Sequence, residues 1–162
     1  MNIYKYAMKM EKDGEKYYRE LAKKTEDLGL QNILKMLADE EVKHYHIIEQ
    51  ISRKDKDAEV TETEILKNAK NIFIEMKKEG LKLKPNTPQT KLYRKALEIE
   101  KKSCEFYLDK SNTVEIESQK KIFFKLAEEE KKHMFLMENI VEFVSRPETW
   151  IEDAEFNHLD EY

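Results

Sequence analysis

The sequence predicts an all-α fold: a four-helix bundle built from two copies of one helical hairpin, with a long helical crossover and a short C-terminal tail helix. Three observations predict it. Glycine and proline are scarce, three of each in 162 residues, against average usage of roughly 7% and 5%, so the many turns of a sandwich or barrel are not encoded. Charged and hydrophobic residues each make up 40% of the chain, the balance of long amphipathic helices and not of a disordered chain. The chain also repeats itself. Shifted by 89 positions, residues 7–51 fall on 96–140 without a gap, and 14 of 45 positions are identical, as in two copies of one structural unit.

The first helix is expected over residues 3–24, where Tyr4, Ala7, Met8, Glu11, Glu15, Tyr18, Leu21 and Ala22 recur at helical spacing. A short turn at 25–30, containing Gly29, leads to a second helix over 29–52, with Leu34, Leu37, Ala38, Glu41, His44, Tyr45, Ile48 and Ile51 on its stripe. So short a link makes the two antiparallel neighbours. The crossover, 53–88, carries its own helix at 62–79, capped by Thr61 or Thr63 and ended by Gly80, then a loop over 81–88 with Pro85 and Pro88. A third helix over 89–110 presents Leu92, Tyr93, Ala96, Leu97, Glu100, Cys104, Tyr107 and Leu108. A turn at 111–115 precedes the fourth, 116–144, with Phe123, Leu126, Ala127, Glu130, His133, Met134, Met137, Ile140, Val141 and Val144. Residues 1–145 thus read as one bundle domain, hairpins 3–52 and 89–145 around the crossover. Residues 146–162 read as a tail whose short helix starts near Arg146 and Pro147, with Trp150, Phe156 and Tyr162 free to dock.

Several function classes are excluded. One cysteine, Cys104, allows neither an internal disulfide framework nor a four-cysteine zinc or iron site within this chain. No apolar run reaches the length of a membrane span, and the N-terminus lacks the apolar stretch of a signal peptide, so the cytoplasm is the expected location. The net charge is −4 with both signs interspersed, which leaves no footprint for nucleic acid.

The chemistry lies in six polar residues on the apolar stripes. Glu41 and His44 sit three residues apart on one helix face, as do Glu130 and His133. Each partner helix adds one inward acid, Glu11 or Glu100, and both acids stand thirty residues before the Glu of their Glu-x-x-His pair. Four ionised carboxylates are too costly to bury alone; two divalent cations would neutralise them. One Glu from each of two helices plus a Glu-x-x-His from each of the other two is the pattern of di-iron carboxylate bundles. Tyr18 and Tyr107, two turns after the partner acids, either pack in the core or hydrogen-bond a ligand carboxylate. Glu40 and Glu129 are duplicated too, but point about 100° around the helix and are expected on a solvated face. Glu15 is expected at the exposed edge, Cys104 as a packed thiol, and His46 and His158 at the surface.

These residues resemble the rubrerythrin group of the ferritin-like superfamily. The matching stretches are 7–11 with Tyr18, 38–44, 96–100 with Tyr107, and 127–133. The resemblance implies a ferritin-like bundle and a centre of two iron ions, with manganese or zinc as alternatives. Its ligands would be Glu11, Glu41, His44, Glu100, Glu130 and His133, with Tyr18 and Tyr107 matching the family's tyrosines beside them. It further implies reduction of hydrogen peroxide or dioxygen, or oxidation of ferrous iron in iron-handling relatives. This chain lacks the four cysteines of a rubredoxin-like domain, so an external electron donor such as a rubredoxin-type protein is implied, and a homodimer is expected. Rubrerythrins carry an extra Glu three residues after the third-helix ligand; here it is Ser103. A non-catalytic helical interaction module is the remaining alternative.

Overall fold

The computed structural model describes residues 2–79 and 87–145. Among them are five helices and no strand: α1 (Ile3–Lys24), α2 (Leu28–Ser52), α3 (Ile65–Lys78), α4 (Thr87–Thr113) and α5 (Glu117–Ser145). The all-α reading therefore stands, with both hairpins and a helical crossover. The Asn2 side chain accepts from the Lys5 N–H at 2.8 Å and starts α1. Asp27 does the same for α2 through the Leu30 N–H at 2.8 Å. The hairpin links are three residues each, 25–27 and 114–116, and the 89-residue shift carries one onto the other.

Some boundaries move. Gly29 was expected in the first turn but lies inside α2. Its use is close approach: a Cβ there would stand 2.6 Å from the Met76 sulfur of α3. The crossover helix begins at Ile65, with the Thr63 hydroxyl accepting from the Ile65 N–H at 3.1 Å. Helix α4 begins at Thr87, so Pro88 belongs to its first turn, where a missing N–H loses no intrahelical bond. The expected stop at Gly80, Pro85 and the whole tail, His158 included, lie outside the described residues.

The core is split. One apolar cluster gathers Tyr18, Leu34, Leu37, Phe73, Tyr93, Ala96, Met137 and Ile140; the other gathers Ala7, Ile48, Val60, Tyr107, Phe123, Leu126 and Ala127. The repeat sends members of one cluster to the other: Ala7 to Ala96, Tyr18 to Tyr107, Leu37 to Leu126. The operation relating the hairpins therefore exchanges the two ends of the bundle, and α1 runs antiparallel to α4. Between the clusters, at mid-height, comes a polar layer. The crossover leaves one cluster at Val60, passes this layer at 61–64, and reaches the other with Ile65, Leu66, Ala69, Phe73 and Met76 of α3.

Candidate metal centre

All six stripe residues meet in that layer. Glu11 and Glu100 are buried, as are Glu41 and His44, while Glu130 and His133 are 0% exposed. Each is delivered by a helical step of three or four residues from a core position: Ala7 to Glu11, Leu37 to Glu41, Ala96 to Glu100, Leu126 to Glu130. The oxygens and ring nitrogens form two overlapping sets able to hold a metal ion, each with its ligand atoms within 4.8 Å of one another. One set is Glu11, Glu41, His44 and Glu130; the other is Glu41, Glu100, Glu130 and His133. Glu41 and Glu130 belong to both, so each could serve either ion.

The hairpins interlock across the layer. Tyr18 of the first donates to Glu100 of the second at 2.5 Å, and Tyr107 of the second donates to Glu11 of the first. Both phenols therefore hydrogen-bond a carboxylate, and each reaches the opposite hairpin. Burial and the neighbouring carboxylates push both phenols well above their ordinary pKa, so they remain donors. His44 Nδ1 lies 2.9 Å from Glu130 and 3.6 Å from Glu11. His133 Nδ1 lies 3.6 Å from Glu100 and Glu130 and 3.8 Å from Glu41. The two imidazoles stack at 5.6 Å between centroids.

Electrostatics explains how the layer survives burial. Desolvation, reinforced by the charge of Glu11, pushes Glu41 well above the carboxylate range. Desolvation and Glu100 lift Glu130 to about 8. Burial opposes charge on His44, yet Glu11 and Glu130 raise it to about 10; Glu100 likewise overcomes burial and raises His133 well above its ordinary value. Against the same desolvation, the proton of Glu41 and the charge of His44 keep Glu11 low. The proton of Glu130 and the charge of His133 hold Glu100 at about 2. These directions place protons preferentially on Glu41, Glu130, His44 and His133 and negative charge on Glu11 and Glu100, an arrangement in which the charges of the metal-free layer balance. Two divalent ions on four carboxylates and two neutral imidazoles are neutral as well, so cations can replace protons without an uncompensated buried charge.

The orphaned atoms say which arrangement the residues suit. Glu11 Oε2, Glu100 Oε2, Glu130 Oε2 and both ring nitrogens of His133 are buried without a hydrogen-bond partner. Unsatisfied groups at this density are rare in native cores, and among the described residues all but one, Ser145 Oγ at the end of α5, belong to the two ligand sets. The donor set of carboxylates and imidazoles fits iron, manganese or zinc.

One expectation is corrected. Glu40 and Glu129 do not lie on a solvated face: they are 7% and 4% exposed. Thr63 of the crossover donates to Glu40, and Lys132 approaches Glu129 at 3.6 Å while reaching Glu62 at 3.0 Å. Helical angle placed these acids outside the bundle axis correctly; what covers them is the crossover, whose path has no periodic signal. A cavity of about 720 Å³ remains there, lined by Glu40, His44, Thr63 and Glu129 among others. The other readings hold. Glu15 is at the edge, paired with Arg19 at 2.7 Å; the Cys104 thiol is buried against the Ala127 carbonyl at 3.6 Å; His46 is exposed.

An all-α bundle crossed by a buried carboxylate–imidazole layer able to bind metal belongs to the ferritin-like class. Within that class the chain belongs to the rubrerythrin family, whose model matches residues 2–141. No curated protein and no solved structure matches it significantly. No helix among the described residues is long and apolar enough to cross a membrane.

Proposed function

We propose that this chain is a non-haem di-iron oxidoreductase that reduces hydrogen peroxide or dioxygen with electrons from a separate carrier of rubredoxin type. The observation that carries the reading is the pair of overlapping ligand sets sharing Glu41 and Glu130. Two irons held there would supply redox chemistry toward an O–O bond. The chain's own residues do the rest. Glu11, Glu41, His44, Glu100, Glu130 and His133 are the proposed ligands. Tyr18 and Tyr107 fix Glu100 and Glu11 by donating to them. Leu37, Ile48, Leu126 and Met137, all 0% exposed, keep bulk water from the layer. The cavity beside His44 offers a small oxidant its approach. Reduction of one peroxide consumes two electrons and two protons and yields two waters. Cys104 alone holds no electron-transfer centre, so the electrons come from outside these 162 residues.

A buried Ser103 in place of the extra rubrerythrin Glu favours a second reading, in which ferrous iron is itself the substrate and is oxidised for iron handling. One assay separates the two. Protein loaded anaerobically with Fe²⁺ is mixed with peroxide, then with dioxygen, in the presence of a reduced rubredoxin-type donor. Oxidant consumption coupled to donor oxidation is expected. Repeated oxidation of added Fe²⁺ without donor turnover supports the second reading, and a cage-sized solution mass, against that of a dimer, would join it. Consumption of neither oxidant, with no metal retained and identical unfolding with and without Fe²⁺, overturns both and leaves a non-catalytic helical module.

A further inference from the structure

We propose that Glu40 is a positioning residue that orients His133, and that the crossover sets Glu40 in turn through Thr63. The proposal rests on the metal-binding reading above. Its starting point is the isolation of His133. On the ligand-facing side His44 Nδ1 meets Glu130 at 2.9 Å, whereas neither ring nitrogen of His133 has a hydrogen-bond partner in a site that is 0% exposed. An imidazole that binds metal through one nitrogen needs its other N–H aimed at an acceptor to fix ring orientation. The two sides of His133 already divide in this way. Nδ1 faces the oxygens of Glu41, Glu100 and Glu130 at 3.6–3.8 Å. Nε2 faces Oε1 of Glu40 at 3.6 Å, from α2 of the other hairpin.

Glu40 is itself held in place. It accepts from the Thr63 hydroxyl, Lys43 stands 3.4 Å away, and Thr63 is anchored by the first N–H of α3 at 3.1 Å. The chain of contacts thus runs from the start of α3, through Thr63 and Glu40, to the outer nitrogen of His133. Its repeat mate does something else. Glu129 turns to Lys132 at 3.6 Å, Lys132 reaches Glu62 at 3.0 Å, and no ion pair joins Glu129 to His44 among the described residues. The crossover therefore meets Glu40 directly and Glu129 only by way of Lys132, and connects only Glu40 to an imidazole. The two metal positions are then unequal, although the six inner residues are duplicated.

Cobalt(II) tests this, because its visible absorption reports the donor geometry of each ion and does not require turnover. The wild-type protein is expected to bind two equivalents. Glu40→Ala should weaken one equivalent by about 10–100-fold and change its part of the spectrum, with the other unaltered. Glu40→Gln, which keeps an acceptor oxygen, should recover part of that loss. Thr63→Val should weaken the same equivalent by less than about tenfold, and Glu129→Ala should leave the His133-side equivalent unchanged. Wild-type titration in both Glu40 variants overturns the proposal, as does equal weakening of both equivalents, the mark of a general structural defect. Should Glu40→Ala fail to fold by circular dichroism, Thr63→Val decides: an unshifted titration overturns it. A wild-type protein that binds no cobalt removes the metal-binding reading, and this proposal with it.

Discussion

One end of the bundle is roofed and the other is merely strapped. Around Tyr18, Leu34 and Ile140 the apolar core extends into Ile65, Ala69, Phe73 and Met76 of α3. Around Tyr107, Phe123 and Ile48 the crossover contributes Val60 and half-buried Ala58. The hairpins that build these ends are copies, and the layer between them is close to symmetric: two shared acids, two flanking acids, two imidazoles and two tyrosines donating across. The difference teaches where duplication is enforced. Charge neutrality in a dry layer constrains all six inner residues together, so a change to one half alone would strand a charge. Nothing comparable constrains the outer surfaces, which have followed whichever piece of crossover covers them.

The largest effect should come from breaking the layer where the halves share residues. Glu130→Ala removes an acid common to both ligand sets, and should drop bound metal from near two to below about one-half per chain, with far-UV helicity of the metal-free protein retained. Glu11→Ala and Glu100→Ala each touch one set, and each should cost a single equivalent. Metal analysis of purified protein checks all three, and equal losses in all of them would refute the shared role of Glu130.

Next in size is a pH effect that separates the metal-free from the metal-bound layer. The fold raises Glu130 from 4.5 to about 8 and His44 from 6.5 to about 10. The native state therefore holds more protons than the unfolded chain, and stability falls as pH rises through these windows, from about 4.5 to 10. Glu100 and Glu40, held at about 2, act oppositely, and their contribution is lost as pH falls from 4.5 towards 2. The metal-free protein should melt highest near pH 5 and progressively lower towards pH 9. Metal must displace protons from Glu41, Glu130, His44 and His133, so its stabilisation grows with pH, reaching about 4 kcal/mol at a thousandfold excess over Kd. Titration calorimetry in two buffers of different ionisation enthalpy should register about four protons released per two ions at pH 7.

Two glycines sharpen the comparison further. Gly29→Ala would drive a Cβ into Met76 and Ile72 of α3 and should cost about 1–3 kcal/mol. Its mate Ser118 is exposed, and Ser118→Ala should stay within about 0.5 kcal/mol. Urea melts distinguish them. Of the two glycines, Gly14 should give the smaller effect; a Cβ there would stand 3.1 Å from Oε2 of Glu41. Gly14→Ala should raise metal-free stability by up to about 1 kcal/mol through helix propensity while weakening metal binding, because Glu41 must shift. Its mate change, Ser103→Ala, should move neither. A Gly14→Ala variant that binds metal as the wild type does would show that Glu41 has room to spare.

Much of this was readable in the residues. The 89-residue repeat and the three-residue step from Glu41 to His44 and Glu130 to His133 suffice to set six side chains on inward stripes, because helix geometry converts spacing into direction. Glu40 and Glu129 resisted the same logic. Direction says where a side chain points, not what later passes over it, and 59–64 has no periodicity to betray its course. Gly29 misled for a related reason. Near a helix start a glycine suggests chain reversal, while its actual use depends on Met76, forty-seven residues away. The tyrosines were legible in kind but not in partner, since reaching the opposite hairpin depends on how the two units dock.

That docking carries a last consequence. Tyr18 grips the acid of the other hairpin and Tyr107 returns the grip, so neither hairpin completes its own half of the layer. The chain is in effect two hairpin subunits joined by a tether, and the tether supplies none of the inner six residues, reaching only one of them, His133, through Thr63 and Glu40. Cutting the crossover should leave two fragments that seek each other out, and an ancestral single hairpin would have had to pair with its twin before it could capture a metal.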